Sequence, residues 1–276
     1  MVGVVASLVP LLASEAALHE YAAWLMIATG VCVIFVELGL GMHAPYGKHA
    51  GIKSARWYGP TIDAKVAWIF QECWSFVVPA ALLLSGSGEA RHLAAWPNRV
   101  LLAMYMSHYA YRAFVFPLRM RGGKPMPIGV CALAAIFCVY NGYLQGRAWT
   151  ALTLITIEAS ALRTAAFAAG VALWAFGLYI NLHSDAVLRN LRRPGESGYK
   201  IPRGGAFELV SGANYFGEIV EWCGYALASG GALPAVAFAF FTFANTAPRA
   251  HQHHLWYRQK FADYPPERCA VIPYIW

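Results

Sequence analysis

Long apolar stretches separated by short polar loops run through most of the chain, and each has the length of a membrane-spanning helix. About 20 apolar residues are needed to cross ~30 Å of hydrocarbon as a helix. Such stretches predict seven transmembrane helices, near residues 19–42, 66–86, 99–118, 126–146, 163–183, 207–229 and 231–247. Only Ser229, Gly230 and Gly231 separate the last two, which predicts a tight helical hairpin. The pattern therefore predicts an all-α, polytopic membrane bundle that forms one domain over residues 1–276.

The composition agrees with a multi-pass membrane protein. Hydrophobic residues make up 59% of the 276, charged residues make up only 13%, and the mean hydropathy is +0.46. This balance lies outside that of soluble domains. A net charge of +7 would suggest nucleic acid as a partner of a soluble domain, but here the basic residues lie in short loops between apolar stretches. We therefore expect a lipid bilayer, and no nucleic acid, among the partners.

Lys and Arg are divided unevenly between the two sets of alternate loops. The loops after the first, third and fifth predicted helices, together with the C-terminal tail, hold sixteen, and the opposite loops hold four. Basic residues collect on the cytosolic side of a membrane. This predicts an N-terminus outside and a cytosolic tail, residues 247–276, in the inner membrane of a bacterium or the endoplasmic reticulum of a eukaryote.

Polar side chains recur at helical spacing in the second half of the chain. One set lies at i, i+4 and i+11, the other at i, i+4 and i+7, so each set falls near one helix face. The first is Asn181, Asp185 and Arg192, and the second is Asn214, Glu218 and Glu221. An Arg-Pro-Gly break at 193–195 separates them. Because polar groups at this depth need partners, we interpret the two faces as a cofactor site.

The second predicted helix carries Trp68, Gln71 and Glu72. A carboxyl group near the middle of a bilayer is disfavoured in its charged form, so we expect Glu72 to be a neutral hydrogen-bond donor. The alternative is that Gln71 and Glu72 tie two helices together through polar contacts.

In the third predicted helix, Tyr109, Arg112 and Phe116 fall at i, i+3 and i+7 on one face, with His108 and Tyr111 turned away. An arginine one turn from a tyrosine suggests an anionic ligand beside a phenol. The alternative is that Arg112 extends toward the cytosolic interface with its charge in water.

The tail repeats this kind of spacing, since Arg249, His253 and Tyr257 lie at i, i+4 and i+8. Three histidines between 251 and 254 suggest a metal, but H-x-H-H without supporting carboxylates is weak evidence, and we predict none. An arginine suits phosphate better, because it presents paired donors. No G-x-G-x-x-G follows a strand, so a bound dinucleotide would have to be held by arginines and loop amides.

Motifs are dense between Asn181 and Trp276: N-L-H-S-D, L-R-R-P-G-E, Y-K-I-P-R-G-G, V-S-G-A-N, G-E-I-V-E-W, R-A-H-Q-H-H and the ending F-A-D-Y-P-P-E-R-C-A-V-I-P-Y-I-W. Thinner matches are Q-E in the second helix, H-Y-x-x-R in the third and N-G-x-L-Q-G from Asn141 to Gly146. These motifs resemble those of the steroid 5α-reductase family. The first predicted helix carries none of them.

The resemblance implies an NADPH-dependent reductase that saturates the C4–C5 double bond of a 3-oxo-Δ4-steroid, with hydride delivered to C5. In that family a Glu and a Tyr hold the C3 carbonyl, and Glu72 and Tyr109 are the matching positions. Two neutral donors would stabilise the enolate as an oxyanion hole does. Trp68 and Gln71 match substrate-pocket positions. A monomer is expected.

The family's cofactor-binding positions match residues on the side predicted to be cytosolic. They are Arg112, Lys124, Asn181, Asp185, Arg192, Tyr199, Asn214, Glu218, Arg249, His253 and Tyr257. Lys124 lies in a loop one residue longer than the family pattern. Phe116 and Met120 replace a Tyr and an Asn that relatives often have, so no cofactor contact is carried over to them.

Other functions remain compatible with these patterns. Relatives in the wider superfamily reduce enoyl-CoA thioesters or polyprenols, and the tyrosine alone does not separate these substrates, although Glu72 favours a ketone. A membrane methyltransferase or a non-enzymatic sterol-binding protein is the alternative from another class. NADPH-dependent loss of the enone absorbance of a steroid separates all of these.

Overall fold

The computed structural model describes residues 14–42, 57–85, 87–157, 160–193, 196 and 198–276. Its α-helices are α1 (Glu15–Ile34), α2 (Ala64–Glu72), α3 (Trp74–Leu84), α4 (Trp96–Ala110), α5 (Phe116–Arg119), α6 (Ile128–Arg147), α7 (Ala161–Asn190), α8 (Ala213–Ala228) and α9 (Leu233–Lys260). Turns of π-helix extend three of them, α1 over Phe35–Gly39, α4 over Tyr111–Val115 and α6 over Ala148–Leu152, and 3-10 turns cover Ser87–Ala94 and Gly205–Glu208. Strands β1 (Thr61–Ile62) and β2 (Met126–Pro127) pair antiparallel, with Thr61 opposite Pro127.

Four helical stretches are long and apolar enough to cross a membrane, and they coincide with the first, second, fourth and fifth predicted spans. They are Glu15–Gly39, Ala64–Leu84, Ile128–Leu152 and Ala161–Asn190. The other three predicted spans also fall on helices, but α8 is shorter and α4 and α9 are less apolar. The all-α class is therefore confirmed, while the number of seven spans, their orientation and the single domain stay predictions.

Some residues used for those predictions lie outside the described part of the chain, namely Lys48, Lys53, Arg56, Pro194 and Gly195.

The sixth predicted span was wrong at its start, and the seventh at its end. The helix expected from residue 207 begins at Ala213, because Gly204 and Gly205 adopt positive φ angles of 92° and 58° and lead into a 3-10 turn. Helix α9 continues to Lys260 instead of ending near 247. The first part of the predicted tail is therefore a continuation of a helix, which extends into the cytosol in the predicted orientation.

The second span is interrupted at Cys73, which separates α2 from α3. Pro79 follows within α3 and has no N–H to continue the helical hydrogen-bond pattern. Glu72 is consequently the last residue of α2, at the interruption of the span.

Glycines allow α7 and α8 to pack with their backbones in contact. These glycines are Gly170, Gly177, Gly217 and Gly224. A methyl group added at Gly177 would lie 2.2 Å from the backbone N of Glu221, and one added at Gly224 would lie 2.3 Å from that of Trp174. Close contact through small residues is typical of membrane helices. The contact fixes the polar end of α7 against the start of α8, where predicted cofactor residues lie.

The C-terminal segment is attached to the loop that precedes α8. Backbone hydrogen bonds join residues 209–212 to residues 269–270, and the guanidinium of Arg268, which is buried, lies 3.2 Å from Glu208 Oε2. The backbone N–H of Gly204 and the charge of Arg268 hold the pKa of Glu208 below its usual value. The chain that leaves α9 therefore returns to the start of α8.

We expect Gly177→Ala to destabilise the protein by roughly 1–3 kcal/mol, because the new methyl group overlaps backbone atoms that cannot rotate away. The measurement is the midpoint of thermal unfolding in detergent. Gly39→Ala is the matched control, since its methyl group would meet only the Phe35 ring, 3.2 Å away. Equal midpoints for Gly177→Ala and the wild type would contradict the backbone contact.

Candidate active site

A cavity of about 840 Å³ lies among the helices, with lining residues from α1, α2 and α4 to α9. Small-molecule sites usually measure ~300–1,000 Å³, so this volume suits a substantial ligand. Ten of the predicted site residues line it: Trp68, Gln71, Glu72, Tyr109, Arg112, Asp185, Arg192, Asn214, Glu218 and Arg249. The fold thus brings together residues that are up to 181 positions apart in the sequence.

The other five predicted residues are not among those that line the cavity: Lys124, Asn181, Tyr199, His253 and Tyr257. Asn181 is buried and its Nδ2 donates a 3.0 Å hydrogen bond to the backbone oxygen of Asn214, so it helps to hold α8 in place. Aromatic contacts hold the rings of three of the others, Tyr199 against Trp256, His253 against Tyr215, and Tyr257 against Phe261. Cofactor contacts from these five stay predictions.

The three tail histidines point to separate neighbours. His254 Nδ1 lies 2.7 Å from Ser211 Oγ, the His251 ring stacks on Trp276 with centroids 5.8 Å apart, and His253 faces Tyr215. Each side chain therefore has its own structural contact.

Glu72 has only weak hydrogen-bond partners among the described residues. Gln71 Nε2 lies 3.4 Å from Glu72 Oε1, and the Cys138 thiol lies 3.7 Å from Oε2. Gln71 Oε1 is buried and has no hydrogen-bond partner in the described part of the chain. Among these contacts of Gln71 and Glu72, only that of the Cys138 thiol with Glu72 joins two different helices, α6 and α2. Polar atoms left open at a cavity wall suit a ligand better.

Tyr109 presents a phenol from α4 to the same cavity. It is 5% exposed and packs among the rings of Tyr105, Trp222 and Phe238. Asn141 Nδ2 donates to its hydroxyl oxygen over 3.4 Å. The rings immobilise the phenol, and the amide contacts its oxygen from outside the cavity.

Arg112 is held inside the bundle. Its guanidinium carbon lies 4.7 Å from the centre of the Trp68 ring and 4.6 Å from that of Phe116, and Nη1 lies 3.3 Å from Asp185 Oδ2. The side chain is 13% exposed and lines the cavity, so its charge lies among protein groups. It sits in the π-helical turn that follows α4, and such turns are frequent at functional sites.

A second arginine reaches the cavity from α9. Arg249 Nε lies 3.6 Å from Glu37 Oε1, and its Nη2 donates to Asn245 Oδ1 over 2.8 Å. Glu37 lies in the π-helical extension of α1 and is 8% exposed. No motif in the first helix indicated this residue, although a lone carboxylate in an apolar stretch was a signal that it needs a partner.

His108 and Glu221 form a buried pair that the sequence did not predict. His108 Nδ1 lies 2.8 Å from Glu221 Oε1, with the side chains 4% and 0% exposed. The expectation that His108 faces away from Tyr109 was wrong, because the cavity extends around more than one face of α4 and His108 also lines it. Glu221 shares a helix face with Asn214 and Glu218, but its carboxyl group contacts His108.

The donor set of the cavity fits a phosphate-bearing ligand. Five arginines line one space, from the extension of α4, the segment after α5, α7, the segment after α7 and α9, and they are Arg112, Arg121, Arg189, Arg192 and Arg249. Gly122 and Gly123 add a backbone segment without Cβ atoms. Guanidinium groups bind phosphate oxygens through paired donors. A protonated Glu72 and the phenol of Tyr109 would be suited instead to a carbonyl oxygen.

Comparison with known proteins gives one consistent family. Residues 124–276 match the family described as 3-oxo-5-alpha-steroid 4-dehydrogenase. The chain is 48% identical to 3-oxo-5-alpha-steroid 4-dehydrogenase 1 of Bos taurus over 263 residues, which cover 95% of this chain and 98% of the relative. It is 47% identical to the Homo sapiens protein of that name, over 92% of this chain and 93% of the relative. Identity to 3-oxo-5-alpha-steroid 4-dehydrogenase 2 of Homo sapiens is 41%, over 91% and 93%.

We expect Glu221→Leu to destabilise the protein by about 3–5 kcal/mol, because it leaves the buried His108 imidazole without its partner. Thermal unfolding in detergent measures the loss. The double variant His108→Leu/Glu221→Leu is the control, since it removes both polar groups and should recover most of the stability. A double variant as unstable as the single one would show that the pair itself is not the cause.

Proposed function

The chain belongs to the 3-oxo-5-alpha-steroid 4-dehydrogenase family, and we propose that it uses NADPH to reduce the C4–C5 double bond of 3-oxo-Δ4-steroids to 5α-3-oxosteroids. It is an oxidoreductase that acts on a CH–CH bond. With four helices long and apolar enough to cross a membrane, it is an integral membrane protein. These two facts make a lipid-soluble substrate reasonable.

One observation carries the proposal. Glu72 and Tyr109, from different helices, line the same cavity as Arg112, Arg192 and Arg249. Groups suited to a carbonyl and groups suited to phosphates are thus within one space. A steroid that lies against Glu72 and Tyr109 can share this space with a dinucleotide held by the arginines.

The reaction adds a hydride to C5 and a proton to C4 of the steroid. When bound, NADPH supplies the hydride. As the hydride reaches C5, negative charge develops on the C3 oxygen, and hydrogen bonds from neutral Glu72 and from Tyr109 stabilise it. Because Tyr109 is buried, at 5% exposed, its bond is stronger than it would be in solution. Gln71, beside Glu72, has an unpartnered oxygen that can accept a hydrogen bond from a ligand or a water molecule.

The arginines hold the phosphates in this proposal. Asp185 orients Arg112 between the Trp68 and Phe116 rings, and Glu37 contacts Arg249 in a comparable way. We also propose that the chain works as a monomer, because the candidate site is built from one chain. The charge bias of the loops supports a cofactor site that faces the cytosol.

The first experiment is to mix the purified protein with testosterone or progesterone and NADPH, then follow loss of the enone absorbance. A 5α product, identified by chromatography against 5α and 5β standards, supports the proposal. The same protein is offered an enoyl-CoA and a polyprenol. Reduction of either of these with no reduction of the steroid would replace the proposed substrate class.

Glu72→Gln and Tyr109→Phe should each lose roughly ten- to a thousand-fold in kcat, the scale for removal of one oxyanion donor. The amide introduced at position 72 donates less acidic protons, and the benzyl side chain introduced at position 109 donates none. The assay is steroid-dependent NADPH oxidation, with nucleotide binding measured separately to show that the site is intact.

Tyr140→Phe is the control for these variants, because the Tyr140 hydroxyl donates to the backbone oxygen of Ala22 and Tyr140 is not a lining residue. We expect it to keep turnover close to that of the wild type. Full activity in Glu72→Gln with intact folding would remove Glu72 from the mechanism.

The enzyme should prefer NADPH to NADH, and Arg192 should carry part of the preference. A charge-assisted contact to the 2′-phosphate contributes ~1.5–3 kcal/mol, or about ten- to more than a hundred-fold. The basic cluster near the end of α7 consists of Arg189, Arg192, Arg193 and Lys200. Arg189 and Arg192 line the cavity, while Lys200 is paired with Glu196 and lowers the pKa of that carboxyl group.

The measurement is the ratio of kcat/KM for the two nucleotides in Arg192→Gln and in Lys200→Gln. The first variant should lose part of the preference, about ten-fold or more, and the second should keep it. A wild type that uses both nucleotides equally would contradict this role for the cluster.

A further inference from the structure

A chain of buried hydrogen bonds lies behind the cavity and ends at the phenol of Tyr109. Its members, here called the Trp149 chain, are Trp149, Tyr225, Gln145 and Asn141. All four are 0% exposed. They come from α6 with its π-helical extension and from α8, and none of them is a lining residue of the cavity.

The geometry of the chain is continuous. Trp149 Nε1 lies 2.5 Å from the Tyr225 hydroxyl, which lies 3.3 Å from Gln145 Oε1. Gln145 Nε2 lies 3.3 Å from Asn141 Oδ1. Asn141 Nδ2 lies 3.4 Å from the Tyr109 hydroxyl oxygen. Each residue thus contacts the next through polar atoms.

The direction of every bond is fixed by two groups whose roles cannot reverse, the indole N–H of Trp149 and the backbone oxygen of Pro234. The indole N–H of Trp149 can only donate, so the Tyr225 oxygen accepts and its proton goes to Gln145 Oε1. The amide group of Gln145 must then donate to Asn141 Oδ1, which leaves Asn141 Nδ2 to donate to Tyr109. A second contact agrees, because Gln145 Nε2 also donates to the backbone oxygen of Pro234, an acceptor only, over 2.9 Å.

We propose that this chain, from Trp149 to Asn141, sets the direction in which the Tyr109 hydroxyl donates. Since the Tyr109 oxygen accepts from Asn141, its own proton points away from Asn141 and is available to a carbonyl in the cavity. Each bond also polarises the next, which makes the phenol a better donor. Residues of the Trp149 chain therefore act through Tyr109 as positioning residues.

The inference rests on the proposed function, because it assigns the proton of Tyr109 to a substrate carbonyl. A purely structural role is the competing explanation, since buried amides must be paired wherever they occur. The two differ in one respect. An effect that passes through the Tyr109 hydroxyl must disappear when that hydroxyl is absent, whereas a structural effect must remain.

The test is a double-mutant cycle of Tyr225→Phe with Tyr109→Phe. Tyr225→Phe removes one hydroxyl from the core, at a distance from the cavity. We expect kcat to fall about three- to ten-fold, the value of one neutral hydrogen bond, with KM changed less than about two-fold. In the Tyr109→Phe background, Tyr225→Phe should cause no further fall beyond about two-fold.

Tyr105→Phe is the matched control. Tyr105 is also 0% exposed, and its ring lies 4.8 Å from that of Tyr109, but it is not a member of the Trp149 chain. Its kcat should stay within about two-fold of the wild type. If Tyr225→Phe does not fold, Gln145→Met, which also interrupts the chain, takes its place in the same cycle.

A second readout needs no turnover. With NADP⁺ and testosterone bound, infrared difference spectroscopy measures the C3 carbonyl stretch, which falls as donors to the oxygen become stronger. We expect a smaller fall in Tyr225→Phe than in the wild type and in Tyr105→Phe.

The outcomes are distinct. The inference is overturned if Tyr225→Phe and the wild type have equal kcat and an equal carbonyl stretch. It is also overturned if Tyr225→Phe causes the same loss of kcat with Tyr109 as with Phe at position 109. In both cases steroid reduction by the wild type leaves the proposed function standing. A wild type that neither binds nor reduces the steroid would overturn both.

Discussion

The absence of water in the bilayer interior is the constraint on which this structure depends, because a polar group there must find its partner inside the bundle. His108 pairs with Glu221, and Asn98 Nδ2 donates to the backbone oxygens of Trp149 and Thr153. Such pairs make the helices specific for one another. At Gln71 Oε1 the pairing is incomplete, and this group lies at the cavity wall. The candidate site is thus a region where the bundle leaves its polar groups partly open to a ligand.

The apolar pattern was sufficient to predict where helices lie, because length and hydropathy are properties of the sequence alone. It failed at the start of α8 and the end of α9, where glycine backbone angles and the returning tail decide the boundary. Resemblance identified ten lining residues, but not His108 or Glu37. Their partners lie on other helices, so no periodicity within one segment indicates them. The same reason applies to Asn141 and Gln145. Their motif was recognised in the sequence, but their hydrogen bonds to other helices could not be predicted from it.

The cavity gathers positive charge that would repel itself if left alone. Asp185 and Glu37 each contact one arginine, and Glu218 lies on the same wall. The two ion pairs are long, at 3.3 Å and 3.6 Å, compared with ~2.7–2.9 Å for a strong charged hydrogen bond. A bound phosphate can therefore approach the Arg112 guanidinium without first breaking a strong pair. The carboxylates keep the arginines in place at a small cost to ligand affinity.

A lone phenol in an apolar wall can turn its proton to either side of the ring, and only one orientation serves a carbonyl that accepts. Fixing that orientation requires a group whose role cannot reverse, and an indole N–H is such a group. The side-chain amides of Gln145 and Asn141 preserve the direction of the hydrogen bonds, because each amide has separate donor and acceptor atoms. The Tyr225 hydroxyl beside the indole keeps its direction because it lies between a donor, the indole N–H, and an acceptor, Gln145 Oε1. Gln145 and Asn141 lie one turn apart on α6, so the helix itself holds the spacing that this directed transfer needs.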